Sequence, residues 1–353
     1  MERVRFATIG TSAICERFLD ALGGYEGAEL VACYSRDLAR AEAFGQRHRA
    51  RLAFDSLEAL GACHQVDAVY IASPNAVHVP QAMALARAGK HVLVEKSLAP
   101  NERQACEVFG AAHQTGVVAL EAMRNLHVPA FEAIRCEAAD LGPVRSATIR
   151  FAKVTSRMAR LRAGERVNVF DPHLAEGALM DIGVYCVEPA VALFGVPAEV
   201  RALGVTCRVP GSADDDPCGM VDLSGEALLG YGDKVVSLAY GKVMDDVLPS
   251  QVAGEEATLT WQDTSGPHDL AVHRHEGSAM VYHSEAGAGE PVACEPTPEN
   301  DMACELDDFC RAVRGETQAL EAVAGWEKVT LQSLAVMDEI RRQVGVRFPQ
   351  DAE

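Results

Sequence analysis

Over roughly the first third of the chain, the hydrophobic pattern switches repeatedly between two rhythms. Short, almost continuously apolar runs predict strands at Val4–Ile9, Glu29–Tyr34, Ala68–Ala72, His91–Glu95 and Val117–Leu120. Between them, apolar residues recur at helical spacing. Ile14, Phe18 and Leu22 fall four apart in Ala13–Leu22, Ala41 and Phe44 face inward in Leu38–His48, and His78–Ala88 and Glu102–Gln114 follow the same rule. Strands without a polar face need cover on both sides, so the alternation predicts a parallel sheet between two layers of helices. Right-handed crossovers make such a sheet doubly wound.

After Glu121 the rhythm changes. Leu126–Cys136 predicts a helix entered through Pro129, and Leu174–Phe194 one long helix. Val144–Val154 alternates, with Arg145, Ala147, Ile149 and Phe151 on one face. Glu199–Arg208, Met220–Leu229, Val235–Tyr240, Ala257–Trp261 and Asp269–His275 predict further strands, and Asp301–Arg314 and Trp326–Gln343 closing helices. Ser212–Pro217 and Glu285–Pro298 are expected as exposed loops. The fold class is therefore α/β with two expected domains: residues 1–122 form the doubly wound parallel sheet, and residues 123–353 an α+β domain with a large, mainly antiparallel open sheet. A length of 353 residues suits two domains of about 150 residues.

Charge narrows the function. Lys and Arg total 32 against 51 Asp and Glu, a net charge of 32 − 51 = −19. Such a surface repels phosphate backbones and anionic lipid, which argues against nucleic-acid and membrane-surface roles. No apolar run approaches the roughly 18 residues of a membrane span. Met1-Glu2-Arg3 leads straight into the first strand pattern without a secretory leader, and the 11 cysteines include no Cys-x-x-Cys pair. Reduced thiols and a cytoplasmic location are expected. His268, His273, His275 and His283 cluster in sequence but lack partner ligands at metal spacing, so no metal is expected.

The first strand–turn–helix reads Ile9-Gly10-Thr11-Ser12-Ala13-Ile14-Cys15. It matches the dinucleotide fingerprint only at Gly10, with small Ser12 and Cys15 in place of the later glycines. The helix N-terminus still offers free N–H groups to a phosphate; an ordinary strand–helix turn is the alternative. At the end of the second strand, Ser35 and Arg36 fall where an acidic residue would hold a ribose 2′-hydroxyl. A hydroxyl followed by a guanidinium suits a 2′-phosphate, favouring NADP(H), with NAD(H) possible. A solvated surface charge is the plainer reading of Arg36, and Asp37 reads as a helix N-cap.

Two longer stretches carry a resemblance. Tyr70-Ile71-Ala72-Ser73-Pro74-Asn75-Ala76-Val77-His78, followed by Gly89-Lys90-His91-Val92-Leu93-Val94-Glu95-Lys96, and then Glu176-Gly177-Ala178-Leu179-Met180-Asp181-Ile182-Gly183-Val184-Tyr185, resemble the Gfo/Idh/MocA oxidoreductase family, in its glucose–fructose oxidoreductase and dihydrodiol dehydrogenase branch. The likeness runs to Val346-Arg347-Phe348-Pro349. Glu95-Lys96-Ser97 stands where the family has Glu-Lys-Pro. The resemblance implies a Rossmann domain binding the cofactor through Gly10, Thr11, Ser12, Ala13, Ile14, Ser35, Arg36, Ser73, Pro74, Asn75, His78, Glu95 and Lys96. It also places Lys96 and Tyr185 on either side of the reacting carbon.

The residue types suit that chemistry. Alcohol oxidation by hydride transfer also needs a proton removed. Tyr185 is the expected acid/base, Lys96 the neutralising cation that favours a phenolate, and Asp181, four residues earlier on a predicted helix, the orienter. Without the resemblance, a core aromatic, a surface lysine and a local hydrogen bonder describe the same three residues. Arg124, Arg157, Arg160 and Arg162 are expected substrate contacts, the last three from a basic stretch, Lys153–Arg166, which reads equally as a solvated loop. The expected activity is an NAD(P)-dependent oxidoreductase acting on a carbohydrate, polyol or cyclic diol. A nicotinamide-dependent redox glycosidase and a non-catalytic NAD(P)/sugar sensor on the same fold remain open. Besides a small-molecule substrate, the expected partner is a second copy, as a homodimer or homotetramer through the C-terminal sheet.

Overall fold

Each near-continuous apolar run of the first third becomes a strand buried on both faces. The computed structural model describes residues 3–275 and 289–352; His283 and the start of Glu285–Pro298 lie outside the described residues. β1 (Val4–Ile9), β2 (Ala28–Tyr34), β3 (Leu52–Phe54), β4 (Ala68–Ile71), β5 (His91–Glu95) and β6 (Ala119–Ala122) form one sheet in the order β3-β2-β1-β4-β5-β6, and every pair is parallel. The intervening helices are α1 (Ala13–Gly24), α2 (Leu38–Arg47), α3 (Leu57–Ala62), α4 (His78–Arg87) and α5 (Glu102–Thr115). Polar side chains start three of them: Asp37, Ser56 and Asn101 each accept a hydrogen bond from a first-turn N–H, as N-caps do. Chain order reverses between β1 and β4, which is where open α/β sheets leave a ligand crevice.

The second sheet begins after α6 (Pro129–Ala139) with β7 (Val144–Ala152), and α7 (Met158–Arg162) and α8 (Val184–Phe194) follow. Its other strands are β8 (Glu199–Arg208), β9 (Met220–Gly230), β10 (Val235–Gly241), β11 (Ser250–Gly254), β12 (Ala257–Gln262), β13 (His268–Arg274) and β14 (Glu290–Pro291), in the order β14-β13-β12-β11-β7-β10-β9-β8. β7 and β10 run parallel and the other pairs antiparallel. α8 packs on β7 and β10, and α6 on β12 and β13. The opposite face exposes Leu203, Val205 and Leu228 on β8 and β9.

The chain closes with α9 (Met302–Val313) and α10 (Thr317–Val344). Two compact units result: Met1–Arg124 with Pro298–Leu334 and Gln350–Glu353, and Asn125–Thr297 with Ala335–Pro349. Met302, Leu306, Phe309 and Cys310 of α9 join Phe6, Phe18 and Tyr70 in the core of the first unit, whereas the division at 122/123 keeps this helix in the second domain. An amphipathic pattern says that a helix has a buried face, not which core receives it. The long helix expected over Leu174–Phe194 is also broken: a 3-10 turn at Pro172–Leu174 and a π-helical turn at Leu179–Gly183 precede α8.

Candidate active site

In the first unit, the turn after β1 is shaped by one glycine. Gly10 has φ +111°, and a Cβ there would lie 2.6 Å from the Ala72 carbonyl oxygen. The chain ends of β1 and β4 therefore approach closely only because this residue has no side chain. Ser12 is the N-cap of α1, yet its side chain makes no capping bond. The first-turn N–H groups stay available beside exposed Ser12 and Ala13 and partly exposed Thr11 and Ile14. Cys15, where the fingerprint has a small residue, is fully buried, and desolvation raises its thiol to about 12, so it serves as a small apolar side chain.

At the end of β2, Ser35 is partly exposed and Arg36 exposed. Asp37 caps α2 through Arg40 N–H at 3.3 Å, the N-cap its position suggests. After β4, Ser73 donates from Oγ to Gln81 Oε1 at 2.6 Å, Pro74 is exposed and Asn75 buried. His78 is fully buried. Its Nε2 lies 2.7 Å from Ser73 O and its Nδ1 3.1 Å from Ser97 O, so the ring sits between the β4 loop and the segment after β5, and as a neutral imidazole it donates to one of these two carbonyls. Burial lowers its pKa to about 4, leaving it neutral. Glu95 is buried and accepts a hydrogen bond from the Tyr70 hydroxyl; burial raises its carboxyl. Lys96 follows, partly exposed at the carboxyl end of β5, and the Lys96–Ser97 peptide is cis. This set fits a dinucleotide: a cradle that a Cβ would fill, an uncapped helix N-terminus, and hydroxyl and guanidinium groups at the ribose position.

In the second unit, Asp181 lies in the π-helical turn and Tyr185 in the first turn of α8. Such turns concentrate at functional sites. Asp222 on β9 fixes this one: its carboxylate accepts from Ala178 N–H at 3.1 Å and Leu179 N–H at 2.6 Å. Gly177 makes room, since a Cβ there would lie 2.2 Å from Asp222 Oδ1. Asp181 Oδ2 lies 2.8 Å from the ammonium of Lys242, which also donates to Val169 O at 2.7 Å. Tyr185 is 7% exposed and meets Phe151 edge-on, ring centroids 5.6 Å apart.

The predicted arginines have different surroundings. Arg124 pairs with Asp301 in the first unit, and Arg160 with Glu165 at 2.7 Å on the surface of the second. Arg157 and Arg162 are exposed at the two ends of α7. Sequence reasoning missed Lys242 and Asp222. The available signal was a lone lysine closing an apolar strand and an aspartate inside another.

Three comparisons with known proteins bear on the site. Residues 4–122 match a family model described as an oxidoreductase family with an NAD-binding Rossmann fold, and residues 135–260 match a GFO/IDH/MocA C-terminal domain. The chain is 36% identical over 348 residues to a scyllo-inositol 2-dehydrogenase (NADP(+)) of Bacillus subtilis, covering 99% of each. It is 31% identical over 361 residues to the trans-1,2-dihydrobenzene-1,2-diol dehydrogenase of Mus musculus, again covering 99% of each. A crystal structure of a 3-ketoreductase from Actinomadura kijaniata with NADP shares the fold, with a TM-score of 0.73 and 24% identity over 97% of this chain and 98% of that one.

Proposed function

The chain belongs to the Gfo/Idh/MocA oxidoreductase family, and from that premise we propose that it moves hydride between NADP(H), with NAD(H) as the weaker alternative, and a hydroxyl-bearing carbon of a polyol or sugar. The carrying observation is the Asp181 carboxylate, held by the Lys242 ammonium at 2.8 Å one turn before Tyr185. When bound, the nicotinamide ring supplies the hydride acceptor for oxidation or the donor for reduction. Gly10, Thr11, Ser12, Ala13 and Ile14 would hold the pyrophosphate, Ser35 and Arg36 the adenosine ribose and its 2′-phosphate, and Ser73, Pro74 and Asn75 the nicotinamide side. His78 and Glu95 set the loops that bear these groups and Lys96.

With the cofactor bound, oxidation would deliver the substrate's C–H electron pair and hydrogen to the nicotinamide as hydride, and the O–H proton would pass to Tyr185 Oη. An ammonium favours a phenolate by offsetting its negative charge, and that is the role proposed for Lys96. Asp181 orients the hydroxyl group. Arg124, Arg157, Arg160 and Arg162 are the proposed substrate contacts, Arg124 from a guanidinium already paired with Asp301.

The test is purified protein with NADP+ or NAD+ and a panel of scyllo-inositol, myo-inositol, D-xylose and D-glucose, followed by the absorbance of reduced nicotinamide. Turnover of a panel member supports the reading, and none with either cofactor rejects it. Arg36→Ala is expected to lower kcat/KM for NADP+ about 10–100-fold, the worth of one charged hydrogen bond, and to leave NAD+ kinetics unchanged. Equal losses with both cofactors would separate Arg36 from the 2′-phosphate.

The open sheet face fits a second copy of the chain. Arg201 and Glu226 lie on it with exposed Leu203 and Leu228, and a twofold axis through such a patch pairs apolar with apolar and cation with anion. Light scattering at micromolar concentration is expected to give a dimer or tetramer, with Leu203→Glu shifting it to monomer; a monomeric wild type contradicts this.

A further inference from the structure

We propose that Lys242 is a positioning residue for Asp181, a role whose catalytic consequence rests on the oxidoreductase reading. Lys242 lies just past β10 and is 1% exposed. Lysine is almost never so buried unless its charge is paired. Here the ammonium is 2.8 Å from Asp181 Oδ2, 2.7 Å from Val169 O and 4.9 Å from the centroid of the Phe170 ring. The backbone beneath it is held on both sides: Lys242 N–H donates to Leu223 O at 2.9 Å, and Lys242 O accepts from Thr155 N–H at 2.9 Å. Phe170 itself sits in an apolar cluster with Val167, Val209 and Val221.

The ammonium is thus held by contacts besides Asp181, and Asp181 has one carboxylate oxygen committed to it. The carboxylate keeps 31% exposure, enough to meet a ligand. With Asp222 holding the amides of residues 178 and 179, the π-helical turn is tied down at both its backbone and its functional side chain. Neither Lys242 nor Asp222 is adjacent in sequence to the segment it holds. Preorganising a reacting group through buried partners of this kind is what keeps a site in its productive geometry.

Lys242→Met keeps most of the side-chain volume and removes the charge. Its kcat on the best panel substrate with NADP+ is expected to fall about 10–100-fold, with KM for NADP+ unchanged. In an Asp181→Asn background the same change is expected to cost little further, because the interaction is already gone. The thermal midpoints of wild type, both single variants and the double variant supply a readout independent of turnover. Each single variant strands one member of the pair and is expected to lower Tm on the order of 10 °C, and the double variant to recover most of that loss. Additive Tm losses overturn the proposal, as does wild-type kcat in Lys242→Met or a loss confined to KM for NADP+. Coupled Tm values in a protein that turns over no panel substrate retain the Lys242–Asp181 pair and reject the oxidoreductase reading instead.

Discussion

Tyr185→Phe is expected to lower kcat roughly 10²–10⁴-fold, the usual worth of one acid/base group, while leaving NADP(H) affinity and folding unchanged. The ring, not the hydroxyl, makes the edge-on contact with Phe151 at 5.6 Å, so phenylalanine keeps the packing of α8 on its sheet. The groups proposed for the dinucleotide all lie in the first unit, and Tyr185 in the second. Kinetics on the best panel substrate and fluorescence titration with NADPH read the two properties separately. Unchanged kcat would remove Tyr185 from the proton path; lost NADPH binding would show that its role is structural.

Acidification is expected to remove about 3 kcal/mol of stability through His78 alone. Burial lowers its pKa from 6.5 to about 4, so between these values the unfolded chain binds a proton that the folded chain does not. Stability then rises with pH across this window: it is fully present above about 6.5 and lost as pH falls toward 4. Replacing the ring by His78→Gln sacrifices contacts to Ser73 O and Ser97 O at every pH but removes the titration. Urea unfolding at pH 7 and pH 4.5 is therefore expected to show a smaller pH difference in the variant than in wild type. Burial also lowers His91, which adds a loss of the same sign to both proteins and cancels in the comparison. Equal slopes would mean that His78 is not buried as a neutral ring.

What could be read from the chain follows a physical division between local and distant constraints. The Gly10 turn, the Asp37 cap and five of the six strands of the first sheet each depend on neighbours within a few residues, and the hydrophobic period exposes them. β3 (three residues) and β11, whose Ser-Gln-Val-Ala-Gly sequence holds one large apolar side chain, carry too little pattern to find. The π-helical turn at residues 179–183 resembles any apolar helical run; what distinguishes it is Asp222 from a distant strand. Lys242 is hidden for the same reason. The basic stretch around α7 is visible in the sequence, but the choice of Glu165 for Arg160 and Asp171 for Arg166 belongs to the folded loop. The destination of α9 was also invisible, because Met302, Leu306 and Phe309 would suit either core.

The most direct test follows the hydride itself. Scyllo-inositol, or whichever panel member turns over best, is deuterated at every ring carbon that bears a hydroxyl and incubated with the protein and NADP+ in ordinary water. Mass spectrometry and NMR of the reduced cofactor are expected to show one deuterium at C4 of the nicotinamide ring per molecule formed, and no such product with Tyr185→Phe on the same timescale. A failure to reduce the cofactor, or reduced cofactor carrying only solvent hydrogen at that carbon, would contradict direct transfer from substrate to pyridine ring.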